Sequence, residues 1–396
     1  MTSTVRVAAQ PVARTHVDAL DGIRAVAILM VLAFHFKGAG VPFHGGGFLG
    51  VDVFFVLSGF LITSLLLDER RRKHRISLRG FYDRRARRLV PVALVLMLIG
   101  AGVFVLAPAT YSWRPEPIAF AALAGAWMNW LDIWRPAAGG VLAHTWSLSI
   151  EVQFYVVWAP LLTAARAFGV RLRVLAALLL LGIGVAVVLR ISAWSGAPPA
   201  VPRSAPDVVR YLVGLGRGAH WSRWYFGSFT HMDGLLLGAL AGIALTRASV
   251  RGALCRHRRV AVTAVGIASV TAAAVAIHAG QVGVSGFVPV WGLLPFEIAV
   301  AVVVTVLATV PATRAGRVLG ARPMVWIGRR SYAMYMLHIP VWMLFVHFGV
   351  NSMPGTPSGV AMAWGAIAVT FLVAAVSYRY LETPVMRRRR RVSPTS

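Results

Sequence analysis

The segment from Leu20 to Phe36, LDGIRAVAILMVLAFHF, is apolar except for Asp21, Arg24 and His35. In a helix, the eleven residues from Arg24 to His35 make close to three full turns, so the two share one face about 16 Å apart. Asp21, three residues before Arg24, lies on the same stripe. Ionisable groups inside a hydrophobic span are costly and mark functional positions by default. An imidazole there can take a proton from a hydroxyl or act as a nucleophile. The plainer alternative is that Asp21 and Arg24 pair at the membrane edge, with His35 a satisfied polar residue.

Four further stretches carry such groups. GGGFLGVDVFFVLSGFLIT places Asp52 and Ser58 behind glycines that permit close approach of chain or ligand. In FYDRRARRLVP, Arg85 and Arg88 project from one helical face, and planar guanidinium forks at that spacing suit a phosphate or pyrophosphate. HTWSLSIEVQFYVVWAP repeats Ser147, Glu151 and Tyr155 every four residues, while His144 before them reads as a loop residue facing water. SYAMYMLHIP aligns Ser331, Tyr335 and His338. Two sites read as structural pairing: Arg379 with Glu382 in RYLETP, and Asp233 in MDGLLLG, which is also kept as a supporting site residue.

The elements that position these groups are membrane helices. The chain is 58% hydrophobic and 13% charged, values that a soluble domain of 396 residues rarely reaches. The net charge of +27 is not spread as a nucleic-acid surface would be. Ten of the forty Lys and Arg residues lie between Asp68 and Arg88, and groups of five fall between Thr246 and Arg259, between Pro311 and Arg330, and over Arg387 to Arg391. Every cluster adjoins an apolar segment, which is the positive-inside pattern. Both termini are therefore expected in the cytoplasm, and no nucleic-acid partner is expected. The single cysteine, Cys255, excludes a disulfide framework or thiolate metal site, and no metal site is expected.

At about 20 residues per crossing, the sequence offers ten or eleven spans, near 20–36, 48–67, 89–107, 117–133, 148–165, 172–190, 229–246, 260–278, 287–310, 331–349 and 359–380. Cytoplasmic termini require an even number. The span 117–133 is short and holds Asn129 and Asp132, so it is the one expected to be re-entrant or only to line the bundle. Ile191 to Gly227 would form the one sizeable outer loop. The fold expected is all-α, a polytopic integral membrane helix bundle of about 10 transmembrane helices. Residues 1–18 form a cytoplasmic tail, 19–386 the membrane domain and 387–396 a basic cytoplasmic tail.

Seven motifs in this order, LDGIRAVAILMVLAFH, GGFLGVDVFFVLSGFLIT, FYDRRARRLVP, HTWSLSIEVQFYVVWAP, MDGLLLGALAG, IGRRSYAMYMLHIPV and RYLETPV, resemble acyltransferase family 3, the bacterial integral-membrane O-acyltransferases. The resemblance implies a multi-pass protein of the bacterial cell membrane. It would transfer an acyl group, commonly acetyl, from cytoplasmic acyl-coenzyme A to a hydroxyl on a glycan, a lipid-linked sugar or a small natural product such as a macrolide. Acyl-coenzyme A enters as donor substrate, with no permanently bound cofactor. The resemblance implies functional roles for Arg24, His35, Arg85, Arg88 and Glu151; Val152 stands where many members have a second acidic residue. The expected assignment is His35 as base or nucleophile, Glu151 or Asp21 orienting it, and Arg24, Arg85 and Arg88 holding donor phosphates. Asp52, Ser147, Tyr155, Asp233 and His338 support the site. A proton-coupled transporter using His35, Glu151 and His338 as a relay is the alternative; it predicts repeated halves, which the sequence lacks.

Overall fold

The structure is a computed structural model and describes residues 16–36, 44–194, 224–282, 287–348 and 356–387. Every regular element among them is helical. They are α1 (Asp18–His35), α2 (Gly50–Lys73), α3 (Leu78–Leu106), α4 (Pro117–Ala124), α5 (Met128–Trp134), α6 (Trp146–Ala167), α7 (Leu172–Ala193) and α8 (Asp233–Ala244). Then follow α9 (Ala248–Arg256), α10 (Arg258–Val282), α11 (Leu293–Thr309), α12 (Arg314–Leu319), α13 (Arg322–Phe348), α14 (Pro357–Ser377) and α15 (Thr383–Arg387). Short 3-10 turns at His44–Leu49 and Gly140–Thr145 lead into α2 and α6.

Seven of these helices are long and apolar enough to cross a membrane, or eight if α8 and α9, bent by 88°, count as one broken span. The chain is a multi-pass helical membrane protein, and the expected figure of about ten is an approximation. Two helices outside that set hold candidate site residues: α1 holds Asp21, Arg24 and His35 within 18 residues, and α13 holds His338. The segment 117–133 does not cross. It forms two short helices, α4 and α5, broken where Ala126 takes a left-handed φ of 55°. Most of the expected outer loop, 195–223, lies outside the described residues, as do most of residues 1–18 and 387–396.

The centre of the bundle is α1, α2, α8 and α13, whose apolar faces are buried. Glycines set how closely they meet. A β-carbon on Gly59 of α2 would collide with the Leu235 carbonyl of α8, and one on Gly238 with the Val56 carbonyl. Small residues that let two backbones touch are the usual means of packing helices in lipid. The 44–49 turn uses the same device, with Gly46 against the Ala276 backbone of α10 and Gly47 against the Met30 carbonyl of α1. Helices α1 and α13 run in the same direction: Gly328 abuts the Asp21 backbone near one end, and His338 meets His35 near the other. The C-terminal helix is interrupted by a π-helical turn, Tyr378–Glu382.

Candidate active site

Helix α3 begins where the basic loop ends, because the Ser77 side chain accepts a hydrogen bond from the Gly80 N–H at 3.1 Å. Such a cap stabilises a helix start by about 1 kcal/mol. It sets Arg84, Arg85, Arg87 and Arg88 in the first turns of the helix. Arg85 lies with its guanidinium 5.4 Å from the Tyr155 ring centroid and 5.9 Å from that of Phe81. Arg88 turns towards α1 and α13, where its charge acts on Arg24 and Tyr332. The Tyr332 hydroxyl donates to the Leu89 carbonyl at 2.7 Å and ties α13 to α3.

Arg24 and Arg85 thus converge from α1 and α3 on Glu151 of α6, with Arg88 beside them. Glu151 accepts hydrogen bonds from the hydroxyls of Ser58 and Tyr155. Two carboxylates, Glu151 and Glu382, act on these three guanidinium groups, which leaves positive charge in excess, the electrostatics of an anion site. Arg24 and Glu151 line a narrow cleft of about 50 Å³ with Ser147, Ser331, Tyr332 and Tyr335. In this cleft, the Arg24 Nε–H and the Ser331 hydroxyl are buried without a hydrogen-bond partner among the described residues.

From the cleft a polar file continues along the bundle. Tyr335 is within 2.6 Å of the Ser147 hydroxyl and donates to the His144 carbonyl at 2.7 Å. Its ring lies beside His338 and His144, at centroid distances of 5.7 and 5.9 Å. His338 stands 4.8 Å from His35 and 5.3 Å from His144. Three imidazoles from three elements therefore meet at the end of the file. His35 Nδ1 is 2.9 Å from the Val31 carbonyl, and His338 Nδ1 is 2.6 Å from that of Tyr335. A carbonyl only accepts, so in both rings Nδ1 carries the proton and Nε2 is the basic nitrogen. His338 Nε2 is fully buried and makes no hydrogen bond among the described residues.

His144 is buried, not a loop residue facing water. Both its ring nitrogens lie 3.1 Å from carbonyl oxygens, those of Val141 and Met336. It braces the 3-10 turn against α13 and walls the histidine cluster. Its burial follows from the turn that Gly140 makes with φ of 50°, and no apolar run marks that turn in the sequence.

Asp21 does not orient His35. It sits about 21 Å along the helix from it, bonded to Arg329 at 3.0 Å and to His16 at 2.7 Å. Glu151 is likewise engaged by the arginines, and connects to His35 only through Ser147, Tyr335 and His338. Arg379 does not pair with Glu382 either. The π-helical turn that contains both changes the angle between positions three apart, and the guanidinium groups acting on Glu382 are those of Arg88 and Arg330.

Asp52 and Asp233 belong to a second buried cluster. Asp52 bonds His231 Nε2 at 2.7 Å, while His231 Nδ1 faces the Tyr225 carbonyl at 2.6 Å. Asp233 pairs with Arg190 of α7 at 2.5 Å, both side chains 1% exposed or less. Glu297 of α11 is buried beside them, against Gly234. Arg190, His231 and Glu297 did not stand out in the sequence, since each is a single polar residue in an otherwise apolar or irregular stretch. Neither aspartate reaches the Arg24–Glu151 cleft, so both act as pairing groups that hold α2, α7 and α8 together.

The comparisons with known proteins agree with this arrangement of motifs. A family described as an acyltransferase domain matches residues 17–379. The chain is 28% identical over 380 residues to the peptidoglycan O-acetyltransferase OatA of Listeria monocytogenes, covering 94% of this chain and 56% of that protein. It is 28% identical over 392 residues to the O-acetyltransferase OatA of Staphylococcus aureus, covering 94% and 58%. It is also 28% identical over 384 residues to the putative peptidoglycan O-acetyltransferase YrhL of Bacillus subtilis, covering 93% and 55%. The chain therefore spans somewhat more than half the length of these relatives. No solved structure matches it. With residues 17–379 matched from the first helix to the end of the bundle, the chain belongs to the acyltransferase 3 family.

Proposed function

We propose that this chain is a membrane O-acyltransferase that moves an acetyl group from acetyl-coenzyme A to a hydroxyl acceptor, with His35 at the reacting carbonyl. One observation carries the reading: a continuous file of polar groups, from Arg85 and Arg88 through Arg24, Glu151 and Tyr335 to His338 and His35, includes three buried polar atoms with no partner. Buried polar groups in folded proteins are almost always satisfied, so three along one path speak for a ligand that completes them. A coenzyme A molecule has the matching shape, anionic at one end with a long arm and a thioester at the other.

In this reading the basic end of the bundle is cytoplasmic, and Arg24, Arg85 and Arg88 hold donor phosphates through charge-assisted hydrogen bonds. The arm passes Glu151 and Tyr335 only as side chains of the cleft move apart, because 50 Å³ admits few heavy atoms. At the far end, His35 Nε2 takes the proton of the acceptor hydroxyl as its oxygen attacks the thioester carbonyl. The carbon–sulfur bond then breaks and the thiolate leaves, taking up the proton. Alternatively, His35 Nε2 attacks first and the acetyl group passes through an acyl-imidazole to the acceptor. His338, edge-on to His35, positions the ring in either route.

The names of the relatives point to peptidoglycan hydroxyls as the first acceptor to try. Glycolipid and macrolide hydroxyls are the further classes. Thiol release from acetyl-coenzyme A by the purified protein in lipid, across a panel of these acceptors, tests the proposal. Acceptor-dependent release supports it; acetyl-coenzyme A that is neither bound nor consumed with any acceptor contradicts it.

A further inference from the structure

A larger cavity, about 490 Å³, opens at the basic end of the bundle between α2, α6, α7 and the α8–α9 bend. It is separate from the Arg24–Glu151 cleft. Ser64, Leu67, Asp68 and Arg71 line it from one stripe of α2, and Arg70, Arg166 and Arg251 close around them. We propose that this cavity binds a phosphate group, supplied either by a lipid headgroup or by a soluble nucleotide.

The charge argues for an anion. Asp68 is the one acidic residue in the lining, and it is already bonded to Arg71 at 2.6 Å and Arg72 at 2.5 Å. Arg70, Arg166 and Arg251 have no carboxylate partner among the described residues. They donate to backbone carbonyls instead: Arg70 to His74 and Arg166, Arg166 to Val170, and Arg251 to Leu245 and Thr246. Those bonds fix the guanidinium groups without cancelling their charge, so three cations are held in place around an open space.

A second observation is independent of the charge. Arg251 is 8% exposed, and its Nε–H is buried without a hydrogen-bond partner among the described residues. The 88° bend between α8 and α9 folds it back beneath the end of α8, against the cavity. A guanidinium buried there with an unused N–H lacks an acceptor, which a phosphate oxygen in the cavity supplies once the lining side chains shift to uncover it. Arginines that only anchor a membrane protein to anionic lipid extend into the headgroup region and are not buried in this way.

The test uses the full chain in phosphatidylcholine nanodiscs, carrying Arg24→Ala, Arg85→Ala and Arg88→Ala so that the donor arginines do not contribute. Two probes are titrated: phosphatidylglycerol, read as bound lipid by native mass spectrometry, and adenosine 3',5'-bisphosphate, read by calorimetry. Arg166→Gln and Arg70→Gln, both partly exposed and expected to fold, should each weaken binding of one probe about tenfold. Arg251→Lys, which keeps the charge but loses the Nε–H, should weaken the same probe. Loss of the lipid identifies a headgroup site, and loss of the nucleotide a soluble-phosphate site. Neither probe binding, or both binding equally well to folded Arg166→Gln and Arg70→Gln proteins, overturns the proposal. Neither result bears on acetyl transfer at His35.

Discussion

His35 and His338 face each other edge-on with ring centroids 4.8 Å apart, one from α1 and one from α13, and in each ring a backbone carbonyl holds the proton on Nδ1. In both rings this leaves Nε2 as the basic nitrogen. The contact also depends on α1 and α13 running the same way, with Gly328 letting the two backbones touch.

His338→Ala should therefore lower the transfer rate by about 10²-fold, the size expected when a group that orients the catalytic base is lost. The donor KM should stay within about twofold, since His338 lies at the far end from the arginines. Steady-state kinetics with acetyl-coenzyme A checks this, and a rise in KM at unchanged kcat would place His338 in donor binding instead.

Arg24→Ala and Arg85→Ala should weaken coenzyme A binding by about ten- to a hundredfold each, the loss of a charged hydrogen-bonding group. Titration calorimetry on the purified protein measures it. Unchanged affinity in both variants would remove the cleft from the donor site.

Glu151→Gln should keep the hydrogen bonds from Ser58 and Tyr155 but remove the negative charge among the three arginines. Tighter binding of the anionic end with a lower kcat is expected, because the arginines would lose the carboxylate that balances and positions them. Binding and rate measured together would show it; a fall in both by the same factor would argue that Glu151 acts only on folding.

Asp233→Ala should destabilise the bundle by about 1–3 kcal/mol, because the buried Arg190 would lose its bonded carboxylate and keep only the neighbouring Glu297. Replacing the pair together, Arg190→Met with Asp233→Leu, should recover most of that loss. Thermal unfolding in detergent separates the two outcomes, and a neutral single Asp233→Ala would mean that the pair is not buried as described.

Much of the site was legible in the sequence because apolar spans make rare polar residues conspicuous. Arg24, His35, Arg85, Arg88 and Glu151 stand out against their helices, and the four-residue repeat of Ser147, Glu151 and Tyr155 places them on one face. Partners across helices were not legible. Nothing local shows that Asp21 meets Arg329 or that Asp52 meets His231, since those contacts join residues more than 170 positions apart. His144 was hidden by the irregular turn before α6, and the π-helical turn at Tyr378–Glu382 undid a pairing that regular helical spacing suggests. The weakness of Pro117 to Ile133 as a span was visible in Asn129 and Asp132, and both are buried in the short helix α5.

The most direct test of the account is thiol release from acetyl-coenzyme A by wild-type and His35→Ala proteins, side by side in lipid with the acceptor that the wild type uses best. Both proteins should bind coenzyme A equally, because the arginines are untouched, and only the wild type should release thiol. A His35→Ala protein that folds, binds the donor and still transfers acetyl at the wild-type rate would contradict the assignment of His35 to the reacting carbonyl.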